Sequence, residues 1–279
     1  MRFNLIGPFE IVTDDGRAHR VSTPKVCQTL ALLLTRPNEV VTSDALIQEL
    51  WGDNPPRSAQ TTLQTYVYHA RRMLVSECAV NVDRQVLVTR SPGYLAQVGA
   101  DEVDVMILER LVAKAQSELD EGAAASALAG LREALALWRG PVLSNVRAGE
   151  VLAGRIAHIE EIHIRALELR VQAELRLGRH REVIPELRML VHDYPLNEWF
   201  HGQLMHALSR AGRRSEALQV YQNLRRLLDD ELGLEPSPEV RLIHREVLDP
   251  APLEPADAPG AVGRSGASVA SLWNVPLAG

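Results

Sequence analysis

One stretch of the sequence, residues 58–74, combines hydroxyl, imidazole and guanidinium groups at helical spacing. On a helical wheel its apolar residues fall within about 60° of one another, and these are Leu63, Val67, Ala70 and Leu74. This spacing predicts a buried stripe. Polar residues fall within about 80° on the opposite side, and these are Thr62, Thr65, His69 and Arg72, flanked by Tyr66, Tyr68 and Arg71.

A face of this composition suits contact with the major groove of DNA. Short hydroxyl and imidazole groups can approach base edges, and a threonine methyl can pack on a thymine methyl. Arg71, Arg72 and the tyrosine hydroxyls can hold phosphates. Ser58, at the predicted helix start, would add free N–H groups and the positive end of the helix dipole. An ordinary amphipathic surface helix would have the same apolar stripe, so that alternative stays open at this point.

Charge is distributed unevenly along the chain. Residues 55–90 contain five arginines and two acids, a net charge of +3, whereas the whole chain carries −6. Residues 1–95 sum to +1 (10 basic, 9 acidic) and residues 96–279 to −7 (20 basic, 27 acidic). The whole-chain charge argues weakly against a nonspecific nucleic-acid binder, but it leaves room for a local basic surface.

Catalytic, cofactor and metal motifs are missing from the sequence. Lys25 and Lys114 are the lysines of the chain, and neither follows a glycine as a phosphate-binding loop requires. His158 and His163 are five residues apart, about 140° on a helix, instead of the four that a zinc-protease motif needs. The two cysteines form no CxxC pair. We therefore expect that the protein is not an enzyme and that it binds no cofactor or metal.

The composition is that of a globular protein, with 46% apolar and 24% charged residues over 279 positions. No segment is apolar over the roughly 18 residues of a membrane helix, and no secretory signal opens the chain. We expect a cytoplasmic protein that does not enter membranes. Residues 249–279 contain five prolines and four glycines with few charges, which predicts a disordered tail.

The predicted elements of the first hundred residues are strands, then three helices, then a hairpin. Helices are expected from Pro24, over 44–50 (with Leu46, Ile47 and Leu50 facing inward) and over 58–76. The predicted strands are Phe3–Ile6, Glu10–Thr13, Arg20–Thr23, Val80–Val82, Gln85–Thr89 and Leu95–Val98.

The rest of the chain is predicted to be helical throughout. Expected helices cover residues 104–121, 123–138, 150–177, 180–193, 197–211, 213–232 and 237–248. Gly178 and Gly212 lie 34 residues apart, which is the tetratricopeptide period. A generic helical bundle is the alternative to stacked repeats of this kind. The expected fold is mainly α: an N-terminal domain of strands, three helices and a hairpin, then an all-α tetratricopeptide-like domain and a tail.

Four stretches of the first hundred residues together form a specific pattern: residues 40–56, 63–67, 71–74 and 89–95. Through them, residues 1–98 resemble the OmpR-type winged helix-turn-helix domain, and specifically the branch found in the Streptomyces antibiotic regulatory protein family. Residues 99–248 resemble the bacterial transcriptional activation domain of that family, through residues 134–140, 204–213, 216–221 and 230–236. The chain looks like a short form of the family, with residues 249–279 as the tail.

The resemblance implies a transcriptional activator of an antibiotic gene cluster. Such proteins bind direct repeats near the −35 element, associate on DNA and recruit RNA polymerase through its sigma or alpha subunit. The matching positions imply base contacts from Thr65 and His69, and a minor-groove contact from Arg90 in the wing. Phosphate contacts are implied for Thr62, Tyr66, Arg71 and Arg72, and Ser58 and Thr61 complete the expected DNA-binding surface.

The recognition helix departs from the family pattern at one place. Relatives often have Ser-Arg-Leu where this chain has Tyr68-His69-Ala70. Because His69 cannot form the bidentate contact that arginine makes with guanine, we expect an altered operator preference or weaker binding. The alternative function is a protein-interaction adaptor whose winged helix has lost DNA binding.

Overall fold

A computed structural model describes residues 1–76, 78 and 84–249. The N-terminal elements are β1 (Arg2–Asn4), β2 (Glu10–Val12), β3 (Ala18–His19), α1 (Pro24–Leu34), β4 (Val41–Thr42), α2 (Ser43–Trp51), α3 (Ala59–Ser76), β5 (Leu87–Arg90) and β6 (Gly93–Ala96). They are followed by α4 (Asp104–Asp120), α5 (Ala124–Ala136), α6 (Glu150–Arg176), α7 (Ile184–Asp193), α8 (Glu198–Arg210), α9 (Arg214–Leu232) and α10 (Pro238–Leu248). This order confirms a mainly helical protein with an N-terminal winged helix-turn-helix.

The N-terminal sheet has the order β1-β2-β3, with antiparallel pairing throughout. The prediction of a third strand over Arg20–Thr23 is wrong, because the strand is Ala18–His19. The turn after β2 is tight, with the Thr13 N–H donating to the carbonyl of Arg17 at 3.0 Å. Strand β3 pairs with β2 through two residues, Ala18 opposite Val12 and His19 opposite Ile11.

The second sheet has the order β4-β6-β5, and its β5–β6 hairpin is the wing. Strand β4 is two residues long and was not predicted, because so short a strand carries no detectable alternation. It pairs through Thr42 and Gly93, and a side chain at Gly93 would collide with the carbonyl of Val41. The predicted strand Val80–Val82 and the predicted tail from residue 250 onward lie outside the described residues.

Helix α3 is held by the predicted stripe. Each of its four members is at most 3% exposed, namely Leu63, Val67, Ala70 and Leu74. The stripe packs mainly toward α1, whose Leu30, Leu33 and Leu34 are fully buried. Burial of side chains of this size favours folding by about 1.5–3 kcal/mol each. The opposite side of α3 is therefore presented at a fixed angle.

Three helix ends of the C-terminal part are built alike. A glycine with φ near +80° ends α4, α6 and α8, and these are Gly122 (82°), Gly178 (77°) and Gly212 (78°). The residue after each glycine donates its N–H to a carbonyl five residues earlier: Ala123 to Glu118, Arg179 to Glu174 and Arg213 to Leu208, at 2.7, 3.1 and 2.8 Å. This left-handed ending permits a sharp reversal into the next helix. The recurrence supports the predicted tetratricopeptide-like repeat.

The chain divides into two compact units, Met1–Ala173 and a second unit from Glu174. The first unit contains the winged helix together with α4, α5 and most of α6. The sequence-based boundary between residues 98 and 99 stays a prediction, since the first compact unit extends well past it. Of the helices described, none combines the length and apolarity that crossing a membrane requires.

Candidate DNA-binding surface

The solvent-facing side of α3 contains most of the predicted site residues. Thr61, Thr65, His69 and Arg72 are exposed, and Ser58 is exposed just before the helix. No aspartate or glutamate occurs anywhere in Ala59–Ser76. A phosphate backbone that approached this side of α3 would therefore meet no repelling charge from the helix itself.

The threonine hydroxyls of this surface are already engaged within the helix. Thr65 Oγ1 donates to the carbonyl of Thr61 at 3.0 Å, and Thr62 Oγ1 lies 3.4 Å from Ser58 Oγ. With its proton used in this way, the Thr65 hydroxyl can still accept a hydrogen bond. It therefore suits the exocyclic amino group of adenine or cytosine, and its methyl suits the thymine methyl.

Tyr66 lies on the flank of α3 that α2 covers. Its ring stacks on Trp51 at the end of α2, with 6.1 Å between the centroids and 21° between the planes. From α1, the Lys25 ammonium lies 6.0 Å from the centre of the Trp51 ring. Burial lowers the pKa of Lys25, and the charge of Arg147 lowers it further. Tyr66 is half-buried, so its first role is to fix α3 against α2.

Arg71 joins α3 to the wing. Its Nε donates to the carbonyl of Leu87 at 3.0 Å and its Nη2 to Thr89 Oγ1 at 2.8 Å. A cavity of about 360 Å³ opens beside this contact, lined by Leu74 and residues 84–89 among others. Two of the guanidinium nitrogens thus bind β5, so Arg71 orients the wing. Only its remaining N–H donors are available to bind a phosphate.

Arg90 is the last residue of β5, where it pairs with Gly93 across the wing hairpin. Its side chain is exposed, as is that of Arg72. Within the described part of the chain, neither guanidinium forms an ion pair. Two unengaged cations, one on α3 and one at the wing tip, are the arrangement that can neutralise phosphates or enter a minor groove.

On the helical wheel Tyr66 and Tyr68 both flank the polar side of α3, but in the structure they differ in exposure. Trp51 stacks on Tyr66, and Thr62 on the same side is half-buried, whereas Tyr68 on the other side is exposed. Tyr68 is 59% exposed. Gln64, which the sequence prediction did not include, is also exposed on that open side. Its position one turn before Tyr68 was the signal that could have identified it.

A buried carboxylate fixes α2 to the helical domain. Glu49 is 3% exposed, and it accepts hydrogen bonds from the N–H groups of Gly149 (2.6 Å) and Leu152 (2.8 Å) at the start of α6. Gln28 Nε2 donates to the same carboxylate at 2.7 Å. Any side chain at position 149 would collide with the backbone of Glu49. Glu49 therefore acts as a cap for α6 that is supplied by another element.

A second buried carboxylate fixes the N-terminal sheet to the helical domain. Asp104, at the start of α4, accepts hydrogen bonds from the N–H groups of Leu5 and Ile6, the shortest at 2.8 Å. Burial raises the pKa of Asp104, although these N–H groups and Arg139 oppose the shift. Asn145 makes two hydrogen bonds with the backbone of Phe9. The winged helix, α4 and the start of α6 thus belong to one compact unit.

Similarity to known proteins agrees with this architecture. Residues 103–248 match the bacterial transcriptional activator domain, and residues 19–96 match the C-terminal domain of transcriptional regulatory proteins. The chain is 36% identical over 281 residues to the regulatory protein DnrI of Streptomyces peucetius, and the match spans the whole of both chains. The chain belongs to the Streptomyces antibiotic regulatory protein family. It is a transcriptional regulator.

Other regulatory proteins are similar to most of this chain. It is 35% identical to the regulatory protein AfsR of Streptomyces coelicolor over 90% of this chain, but it spans a quarter (25%) of AfsR. The structure of Mycobacterium tuberculosis EmbR in complex with a low affinity phosphopeptide superposes with a TM-score of 0.84 at 31% identity. That superposition covers 91% of this chain and 66% of the EmbR chain. The winged helix and the helical domain of this regulator thus occur together in a solved structure.

Proposed function

We propose that this regulator is a sequence-specific DNA-binding activator that inserts α3 into the major groove. The observation that carries the proposal is the exposed side of α3, which lacks acidic residues and ends beside two exposed cations, Arg72 and Arg90. The buried stripe and the Tyr66–Trp51 stack fix the angle at which this side is presented. A pre-set helix of this kind loses little conformational entropy when it binds.

In this proposal the side chains of the surface divide into three roles. Thr65 and His69, in the middle of α3, contact base edges. Arg90 enters the adjacent minor groove from the wing. Phosphates are contacted by the residues around them: Ser58, Thr61, Thr62, Tyr66, Arg71 and Arg72.

The proposed binding mode is two protomers head to tail on direct repeats near the −35 element. The wing of one protomer would then lie next to α3 of the other, and the helical domain would contact the sigma or alpha subunit of RNA polymerase. The links through Glu49 and Asp104 support this, because they fix α4 and the start of α6 relative to the winged helix. The target promoters would be those of an antibiotic or other secondary-metabolite gene cluster, and the protein would act in the cytoplasm.

A gel shift with the promoters of neighbouring genes tests the proposal, followed by footprinting of any shifted fragment. We expect a protected region that contains two repeats in the same orientation. Arg72→Ala should weaken the shift at least several-fold, since one phosphate contact is lost. Arg110→Ala is the matched control, because it removes an exposed arginine from α4. If no promoter fragment shifts, the proposal fails and the adaptor function takes its place; a single unrepeated site with a monomeric protein would refute the head-to-tail mode.

A further inference from the structure

Tyr68 is an exposed aromatic residue at the open side of α3. Tyr68 is 59% exposed, while Tyr66, two residues earlier, is half-buried against α2. Its hydroxyl has no hydrogen-bond partner among the residues that the structure describes. It lies one turn after Thr65 and one turn before Arg72 on the same side of the helix. A ligand that contacts Thr65 and Arg72 therefore lies next to this ring.

The ring of Tyr68 is held by its neighbour. The imidazole of His69 meets it edge to face, with 5.7 Å between the centroids and 64° between the planes. Contacts of this geometry are attractive for aromatic pairs. The pair thus presents a pre-oriented aromatic surface. An arginine reads guanine through two hydrogen bonds, and neither ring can do so.

We propose that Tyr68 is a specificity-determining residue whose ring packs on the 5-methyl group of a thymine in the major groove. This inference rests on the proposed DNA-binding function. Of the four bases, thymine is the one that presents a methyl group in the major groove. The edges of the other bases present hydrogen-bonding groups that a ring face would desolvate without replacement. The aromatic pair therefore shifts the preferred site toward thymine where an arginine would select guanine.

The test uses a duplex selected from a randomised pool by the unmodified full chain. Each thymine of that duplex is replaced, one at a time, by deoxyuridine, which removes the 5-methyl group and keeps the base pairing. We expect at least one replacement to weaken binding about fourfold, the equivalent of one buried methyl group. Tyr68→Phe should retain this sensitivity, because the ring remains. Tyr68→Ala should abolish it at that thymine.

Val75→Ala is the matched control, since Val75 is another exposed apolar residue of α3 (40% exposed) and lies nearer its C-terminal end. It should leave the uracil sensitivity unchanged, and far-UV circular dichroism should show all variants folded. If no duplex can be selected, the DNA-binding function itself fails. If duplexes bind but Tyr68→Ala keeps the same uracil profile as the unmodified chain, the Tyr68 proposal is refuted. If Tyr68→Phe weakens binding as much as Tyr68→Ala, the hydroxyl makes the contact, which also refutes a methyl-reading ring.

Discussion

Replacement of Glu49 tests how the winged helix is fixed to the helical domain. The buried carboxylate accepts hydrogen bonds from Gly149, Leu152 and Gln28, at 2.6, 2.8 and 2.7 Å. Glu49→Ala leaves the N–H groups of Gly149 and Leu152 without their partner, whereas Gln28 Nε2 still donates to the backbone carbonyl of residue 49 at 2.9 Å. An unsatisfied buried donor costs about 1–3 kcal/mol, and water entering the space left by the side chain recovers part of that. We therefore expect Glu49→Ala to lower the free energy of unfolding by about 3–4 kcal/mol.

Urea unfolding, monitored by circular dichroism, measures this loss of unfolding free energy against a matched control. Glu39 is a glutamate whose side chain is 62% exposed and pairs with Arg36 at 3.0 Å. Glu39→Ala should cost less than about 1 kcal/mol, as is usual for an exposed ion pair. Glu49→Gln should fall between the two, because the amide fills the same space but turns a donor toward a backbone N–H.

Hydrogen exchange localises the effect. The amide hydrogens of Gly149 and Leu152 donate to Glu49 and should exchange faster in Glu49→Ala, whereas they should be unaffected in Glu39→Ala. Equal unfolding free energies for the two alanine variants would refute the reasoning. Unchanged exchange at Leu152 would do the same, since the cap would then contribute nothing at α6.

Three further predictions concern single side chains. Arg90→Ala should lower the slope of log affinity against log salt by about one phosphate-scale unit, and an unchanged slope would remove Arg90 from the interface. Thr65→Ser should change the sequences recovered by selection from randomised DNA more than it changes nonspecific affinity. His163 stacks on Trp138 at 3.7 Å, and burial followed by the charge of Arg170 lowers its pKa from 6.5 to about 4. As the pH drops from about 6.5 to 4, the imidazole of His163 is protonated in the unfolded chain before it is protonated in the folded protein, so the free energy of unfolding should fall. Urea unfolding at a series of pH values should show a smaller fall for His163→Phe.

The positions of the helices were predictable because each leaves a local pattern. The stripe of α3 repeats at helical spacing, and its members Leu63 and Ala70 are fully buried as expected. The glycines that end α4, α6 and α8 were visible as breaks in the pattern. Strand β4 left no such signal, because two residues contain no period and its pairing with β6 joins residues some 50 positions apart in the sequence.

The inner face of α2 shows where local pattern fails. The sequence predicted Leu46, Ile47 and Leu50 on that face, but Ile47 is half-buried while the charged Glu49 is buried. A carboxylate is stable there because donors from α1 and α6 meet it. Those donors lie 21 and 103 residues away along the chain, and no property of α2 alone predicts them.

The sequence by itself determined the order of elements, the stripe that buries α3 and the absence of acidic residues from that helix. These follow from residue types and periodic spacing, which are local properties. Only the tertiary structure decided which flank of α3 stays open, because Trp51 arrives from another helix and covers Tyr66 while it leaves Tyr68 exposed. It also decided that the winged helix and α4–α6 are joined through Glu49 and Asp104, since hydrogen bonds between distant segments depend on packing rather than on spacing.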